Sequence, residues 1–309
     1  MSTTALSDSR RRTLGAAYPL LASMAWGVMY VVSKYSFGYI PPMTLSLVRV
    51  LVGGGALAAL VLAQGARLPR GQELWGLLGL GVLVALGLGA QYAGTDLANA
   101  SQGALITTLT PVFTVFFAWR LAHERLSGRM VLGCLAALAG VLMIVSPQLS
   151  GLAINSGRAA LGSLLLLLGS LAWGLYTVAQ KPLVRRRGAL YVTAFSTLAS
   201  APFFALLAPW ELATRPVTHV TPGLLLGVLY LCLGATSLAW YLWGKGVEYV
   251  DASLVAVFFF AQPVVGSLLG WLVLHEVLGW QFIAGGLIVS AGILCVSLPE
   301  KRLDTEGGM

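Results

Sequence analysis

The chain alternates long apolar runs with short polar breaks, and each run is long enough to cross a bilayer as a helix, which takes about 20 residues. Ten such runs follow one another, at about 14–36, 43–64, 74–95, 101–121, 128–147, 159–180, 189–208, 222–243, 253–274 and 279–298. The breaks carry turn residues: Pro41-Pro42, Gly65, Pro69, Gly71, Pro147, Gly151, Pro209, Pro216 and Pro222. They are short, so consecutive helices are expected to pack as antiparallel neighbours. The pattern predicts an all-α integral membrane protein.

A second pattern lies over the first. Residues 100–146 align without a gap on residues 252–298, with 14 of 47 positions identical. The matches include Pro111 and Pro263, Trp119 and Trp271, His123-Glu124 and His275-Glu276, Gly133 and Gly285, and Gly140 and Gly292. Chance likeness between apolar segments rarely keeps Pro, Trp, His and Glu in register, so the chain is read as an internal duplication. The front of each half repeats as well. Ser23 to Lys34, with Trp26-Gly27, matches Ser170 to Lys181, with Trp173-Gly174. Five helices per half is an odd number, which turns the second copy upside down. The expected fold is ten transmembrane helices in two inverted five-helix repeats. Residues 1–13 would form an N-terminal segment, 14–147 the first repeat, 159–298 the second and 299–309 a tail.

Composition agrees. Of the 309 residues 58% are hydrophobic and 10% charged, with a mean hydropathy of +0.85. Soluble domains carry about 25% charged residues. The net charge of +8 gains meaning from its placement. With the N-terminus inside, the cytoplasmic segments hold 15 Lys and Arg and the outer loops only Arg158 and Arg215. By the positive-inside rule both termini are cytoplasmic. The polar start followed by a full-length span reads as uncleaved. Cys134, Cys232 and Cys295 fall within spans, at no metal spacing, and read as buried free thiols. No cofactor, metal or nucleic-acid partner is expected.

The residues that recur also resemble those of a known family. Trp-Gly in each leading helix, the Ala-Ser start of the fourth and ninth helices with Pro111 and Pro263, the closing Glu124 and Glu276, the glycines 133, 140, 285 and 292, and Arg49 in the second span resemble the drug/metabolite transporter superfamily, in its ten-helix EamA-type branch. The resemblance covers residues 14–298. It implies a secondary carrier, usually an exporter of small metabolites, with a cavity between the halves. It also points to amino acids or related zwitterions as cargo and to the bacterial cytoplasmic (inner) membrane. The expected partners are a small-molecule substrate and the lipid bilayer, for a monomer or homodimer. Cationic drugs or nucleobase-type solutes are the alternative cargo, and a membrane enzyme or a channel the alternative class. The three histidines do not converge, and no HExxH or serine-nucleophile motif occurs.

Charges inside a bilayer are functional candidates by default. An outer cluster of Lys34, Arg49 and Asp96 is expected, with an inner counterpart of Lys181 and Glu248, as one ion-pair gate per face. Helix faces give the cavity wall: Trp26 and Tyr30 on the first helix, Gln91 and Tyr92 on the third, Thr107 and Thr110 on the fourth. The second half adds Trp173, Tyr176 and Gln180, then Trp240 and Tyr241, then Phe259 and Gln262. Pro111 and Pro263 each remove a helix hydrogen bond and are candidate hinges.

Overall fold

The computed structural model describes residues 8–97, 106–149, 157–274 and 280–297; residues 1–7, the tail from 298, and the His275-Glu276 pair lie outside the described residues. Fourteen α-helices are described, with no strand among the described residues. They are α1 (Asp8–Phe37), α2 (Pro42–Ala63), α3 (Gly71–Leu97), α4 (Thr110–Ala122), α5 (Gly128–Leu149), α6 (Gly157–Ala179), α7 (Lys181–Arg187), α8 (Ala189–Ala199), α9 (Ala201–Thr214), α10 (Pro222–Leu229), α11 (Ala239–Tyr249), α12 (Ala252–Val257), α13 (Ala261–Leu274) and α14 (Trp280–Ser297). A π-helical stretch, Tyr230–Leu238, joins α10 to α11, and a 3₁₀ turn, Phe258–Phe260, joins α12 to α13.

Among the described residues six helical segments are long and apolar enough to cross a membrane: Thr13–Phe37, Pro42–Ala63, Gly71–Leu97, Ala160–Ala179, Ala189–Thr214 and Pro222–Tyr249. Four shorter apolar helices, Thr110–Ala122, Gly128–Met143, Ala252–Gly266 and Ile283–Val296, occupy the remaining predicted runs. The outer surface carries Leu60, Leu132, Leu206, Leu226 and Leu287, all more than half exposed. In water such a surface would associate; in lipid it is the solvated face. Trp75, Trp210 and Trp280 are also exposed, near helix ends, where indole rings suit the lipid–water boundary.

The prolines explain where the helices start and break. Pro42 opens α2 and Pro222 opens α10, at positions where a missing N–H leaves nothing unpaired. Pro111 falls in the first turn of α4, behind a turn at residues 108–109. Pro263 falls just inside α13, and its ring crowds the carbonyl four residues back, that of Phe259, within the 3₁₀ turn. Both copies therefore interrupt the helix at the same place. Pro202 does likewise in α9, where Ser200 separates α8 from α9.

Glycines set the closest helix contacts. A Cβ on Gly133 would lie 2.9 Å from the Gly292 carbonyl oxygen, and one on Gly140 would lie 2.6 Å from that of Gly285. Thus α5 and α14 cross antiparallel through the glycines that the duplication aligned, at a separation no larger side chain permits. Cys134 and Cys232 are buried thiols, whereas Cys295 is half-buried, and all three are free.

Candidate substrate cavity

Two aromatic clusters face each other in the middle of the bundle. In the first, the Trp26 ring of α1 lies 5.2 Å from that of Trp243 and 5.8 Å from that of Phe259. In the second, the Trp173 ring of α6 lies 5.1 Å from that of Trp240 and 5.7 Å from that of Tyr176. Three of the four indole N–H groups have fixed partners. Trp26 Nε1 donates to the Ala235 carbonyl at 2.9 Å, Trp243 Nε1 to Thr177 Oγ1 at 3.1 Å, and Trp173 Nε1 to Gln91 Oε1 at 3.3 Å. Gln91 Nε2 donates onward to Tyr30 Oη at 2.8 Å, and Tyr30 shares a 2.6 Å hydrogen bond with Thr107. Satisfied in this way, the polar groups hold the rings in set orientations.

Between the clusters lies a cavity lined by Trp26, Gln91, Thr107, Thr110, Trp173, Tyr176, Trp240, Phe259 and Gln262. These all belong to the expected wall. The space open to the centre of a water molecule is about 40 Å³. That holds a few waters, at about 10–15 Å³ each. A metabolite with a ring would have to part the walls.

Four expected wall residues do not line the cavity. Tyr30 stands behind it, as the link between Gln91 and Thr107. Tyr92 is buried against Ser33 and Arg49. Gln180 sits in the turn between α6 and α7, buried but outside the cavity lining. Tyr241 lies on the flank of α11, one residue past Trp240. Five others line the cavity without having been expected there: Met29, Arg49, Leu88, Thr177 and Trp243. Trp243 follows Trp240 by three residues, a spacing that puts both on one helix face.

Arg49 is the main relocation. It is fully buried and makes no ion pair with Asp96, which pairs with Arg215 instead. Its Nε donates to Thr236 Oγ1 at 2.9 Å and its Nη1 to Tyr92 Oη. The guanidinium packs 5.1 Å from the Tyr92 ring centre and 6.0 Å from that of Trp240. The π-helical stretch makes the Thr236 contact possible. Within it, Thr236 and Ser237 donate to carbonyls five residues back, at 2.7 and 3.0 Å. The widened backbone brings Thr236 against α2, where Gly53 leaves room for the Cys232 carbonyl. Such wide turns are frequent at functional positions.

The expected gate pairs have other partners. Asp96 binds Arg215 at 2.7 Å, and Arg215 also donates to the Phe37 carbonyl at 2.8 Å. Lys34 is exposed and, among the described residues, reaches the Thr95 carbonyl at 3.5 Å. Arg215 wins because its loop folds across the end of α1, tied by Thr218 N–H to the Tyr39 carbonyl at 3.1 Å. At the other end Glu248 binds Lys245 at 3.0 Å. Lys181 instead binds Glu124 and Asp251, each at 2.6 Å. Glu124 in turn accepts from the Ala252 and Ser253 N–H groups, at 3.0 and 3.1 Å, and from Ser253 Oγ at 2.7 Å, capping α12. His123, left-handed at φ 52°, ends α4 and turns Glu124 inward. Burial alone would raise the Glu124 carboxyl. The hydrogen bonds from Lys181 and Ser253, with the charge of Lys181, outweigh it and hold the group below the ordinary carboxylate range.

Residues 13–146 and 160–298 each match the EamA-like transporter family. The chain belongs to the EamA-like transporter family. It is therefore an integral membrane transporter of the drug/metabolite superfamily, and its function is transport, not catalysis. Among its EamA relatives, an uncharacterized transporter of Bacillus subtilis, YvbV, is 26% identical, covering 89% of this chain and 89% of that one. The aromatic amino acid exporter YddG of Ancylobacter novellus is 27% identical over 88% of this chain and 91% of its own. A probable amino-acid metabolite efflux pump of Salmonella typhimurium is 26% identical over 89% and 91%. One crystal structure shares the fold with a TM-score of 0.79 at 24% identity, covering 95% of this EamA chain and 99% of the other.

Proposed function

We propose that this EamA transporter is a secondary carrier that exports small amphipathic metabolites, aromatic amino acids foremost, by alternating access. Ten membrane helices in two inverted five-helix repeats would do the work, in a bacterial cytoplasmic membrane with both termini inside. The observation that carries the reading is the paired aromatic clusters around one central cavity. One is built on the Trp of α1 and the other on its counterpart in α6. The names of two relatives, an aromatic amino acid exporter and an amino-acid metabolite efflux pump, point the same way. The antiparallel crossing of α5 and α14 through aligned glycines supports inverted repeats. In this reading the arginine-rich end is the cytoplasmic one, and Glu124, Lys181 and Asp251 close it. The small cavity then belongs to a contracted state: substrate enters when the cytoplasmic end parts and leaves when the opposite end does.

The test is counterflow in proteoliposomes loaded with unlabelled tryptophan, with labelled tryptophan outside. Saturable uptake that falls at least about two- to tenfold in Trp173→Ala is expected, since a ring-on-ring contact contributes about 0.5–1.5 kcal/mol beyond its buried area. No counterflow with any of tryptophan, phenylalanine or tyrosine would overturn the cargo class.

A further inference from the structure

Arg49 is a cation without an anion. A guanidinium stays charged under all physiological conditions. Burying it is costly unless opposite charge or hydrogen bonds compensate. Here the compensation is partial. Thr236 and Tyr92 are neutral acceptors, and two rings lend their faces. Nη2, which carries two N–H donors, has no partner among the described residues. Arg49 also enters no ion pair among them.

The surroundings are one-sided. Among the described residues Arg49 is the only charged one lining the cavity, and none of them places a carboxylate there. The Gln91 amide oxygen, a natural acceptor for an ammonium group, is already taken by Trp173. Thr110 Oγ1, buried on the same wall, is without a partner among the described residues and can donate toward an anion. The cavity thus offers free donors and aromatic faces, and no anionic group. Carboxylates are matched by the planar donor fork of arginine.

We infer that the cavity selects its cargo by a carboxylate, which docks on Arg49 Nη2 while the ring system of the cargo lies between the two tryptophan clusters. The amino group of an amino acid is dispensable, and aromatic monocarboxylates that lack it are cargo too. Cationic aromatic compounds are excluded, because nothing in the wall neutralises them while Arg49 repels them. This inference rests on the carrier reading above and sharpens it from amphipathic metabolites to aromatic carboxylates.

Three probes with one indole ring test it on the full-length chain in detergent: indole-3-propionate, with only the carboxylate; tryptophan, with both groups; and tryptamine, with only the ammonium. Binding is read as the rise in melting temperature and as Kd by calorimetry, since a ligand of the folded state stabilises it by mass action. A hydrogen bond to a charged group separates Kd values by about 10- to 100-fold. Indole-3-propionate and tryptophan are expected to bind within that factor of each other, with tryptamine weaker than both by at least the same factor. In Arg49→Gln the carboxylate advantage disappears, while Arg49→Lys retains it at lower affinity. Tryptamine binding as tightly as indole-3-propionate would overturn the anion site and leave the carrier reading standing. An undiminished carboxylate preference in folded Arg49→Gln would do the same. Silence from all three probes would bring down the aromatic-cargo reading and the anion site together. The ligand order is read on the unmutated chain, so a variant that fails to fold leaves the test decisive.

Discussion

The two ends of the bundle are tied by the same kinds of residue in different surroundings. At the arginine-rich end Lys181 and Glu124 are 9% and 6% exposed, and Glu124 also caps α12. At the opposite end Arg215 and Asp96 are 46% and 23% exposed. There a separate carboxylate, Glu211, caps α2, accepting from Met43 and Thr44 N–H at 3.1 and 2.9 Å. At the arginine-rich end one buried carboxylate, Glu124, both pairs with a cation and caps a helix; at the other end the two tasks fall to Asp96 and Glu211. Buried charges with shared partners fail together, whereas exposed pairs loosen one at a time. In a carrier that opens its ends in turn, this makes the arginine-rich end the firmly closed one here.

The largest expected effect follows from removing a partner at the buried end. Lys181→Ala strands Glu124 and should cost about 3–5 kcal/mol in thermal unfolding, the range for breaking a buried pair from one side. Solvent labelling of a cysteine placed at Ser253 should rise in the same variant.

Acid should act on the same network. The Glu124 carboxyl is held below its ordinary range, so its contribution is complete above that range and is lost as pH falls through the depressed value. Melting temperature should therefore drop on acidification below the ordinary carboxylate range, and Glu124→Gln should lack that component of the drop. An identical acid profile in the variant would locate the acid sensitivity elsewhere.

At the opposite end the effects are smaller. Glu211→Gln weakens the cap on α2 and should cost about 0.5–2 kcal/mol, the usual range for a lost helix cap. Asp96→Ala should cost under about 1 kcal/mol, and salt should shrink that difference further. A cost for Asp96→Ala equal to that of Lys181→Ala would erase the contrast between the ends.

Much of this architecture is legible in the chain, because hydropathy and proline act locally. Apolar runs place the helices, and the matched prolines mark the interruptions in both halves. Part of the aromatic wall is legible too, since Trp26 and Trp173 occupy equivalent positions in the two halves. Charge partners are not. Aligning two halves pairs positions with positions, while Asp96 finds Arg215 only because a loop crosses the end of α1. Arg49 illustrates the same limit. Its depth in the second span is evident, but its company depends on the widened backbone at Thr236, which follows α10. No hydropathy signal marks that widening; the adjacent Thr236 and Ser237, both donating five residues back, are its local trace.

That widened stretch has a consequence for helical phase. Each residue advances an α-helix by about 100°, and bonding five residues back absorbs one residue more per turn than a regular helix would. Relaxing Tyr230–Leu238 to regular winding at its present length would rotate everything after it by about a quarter turn or more, carrying Trp240 and Trp243 off the cavity while Thr236 left Arg49; deleting one residue from the stretch would take up much of that rotation. One surplus residue thus keeps the azimuth of two indoles and a guanidinium mutually locked, and α3, its counterpart in the first half, winds regularly without it.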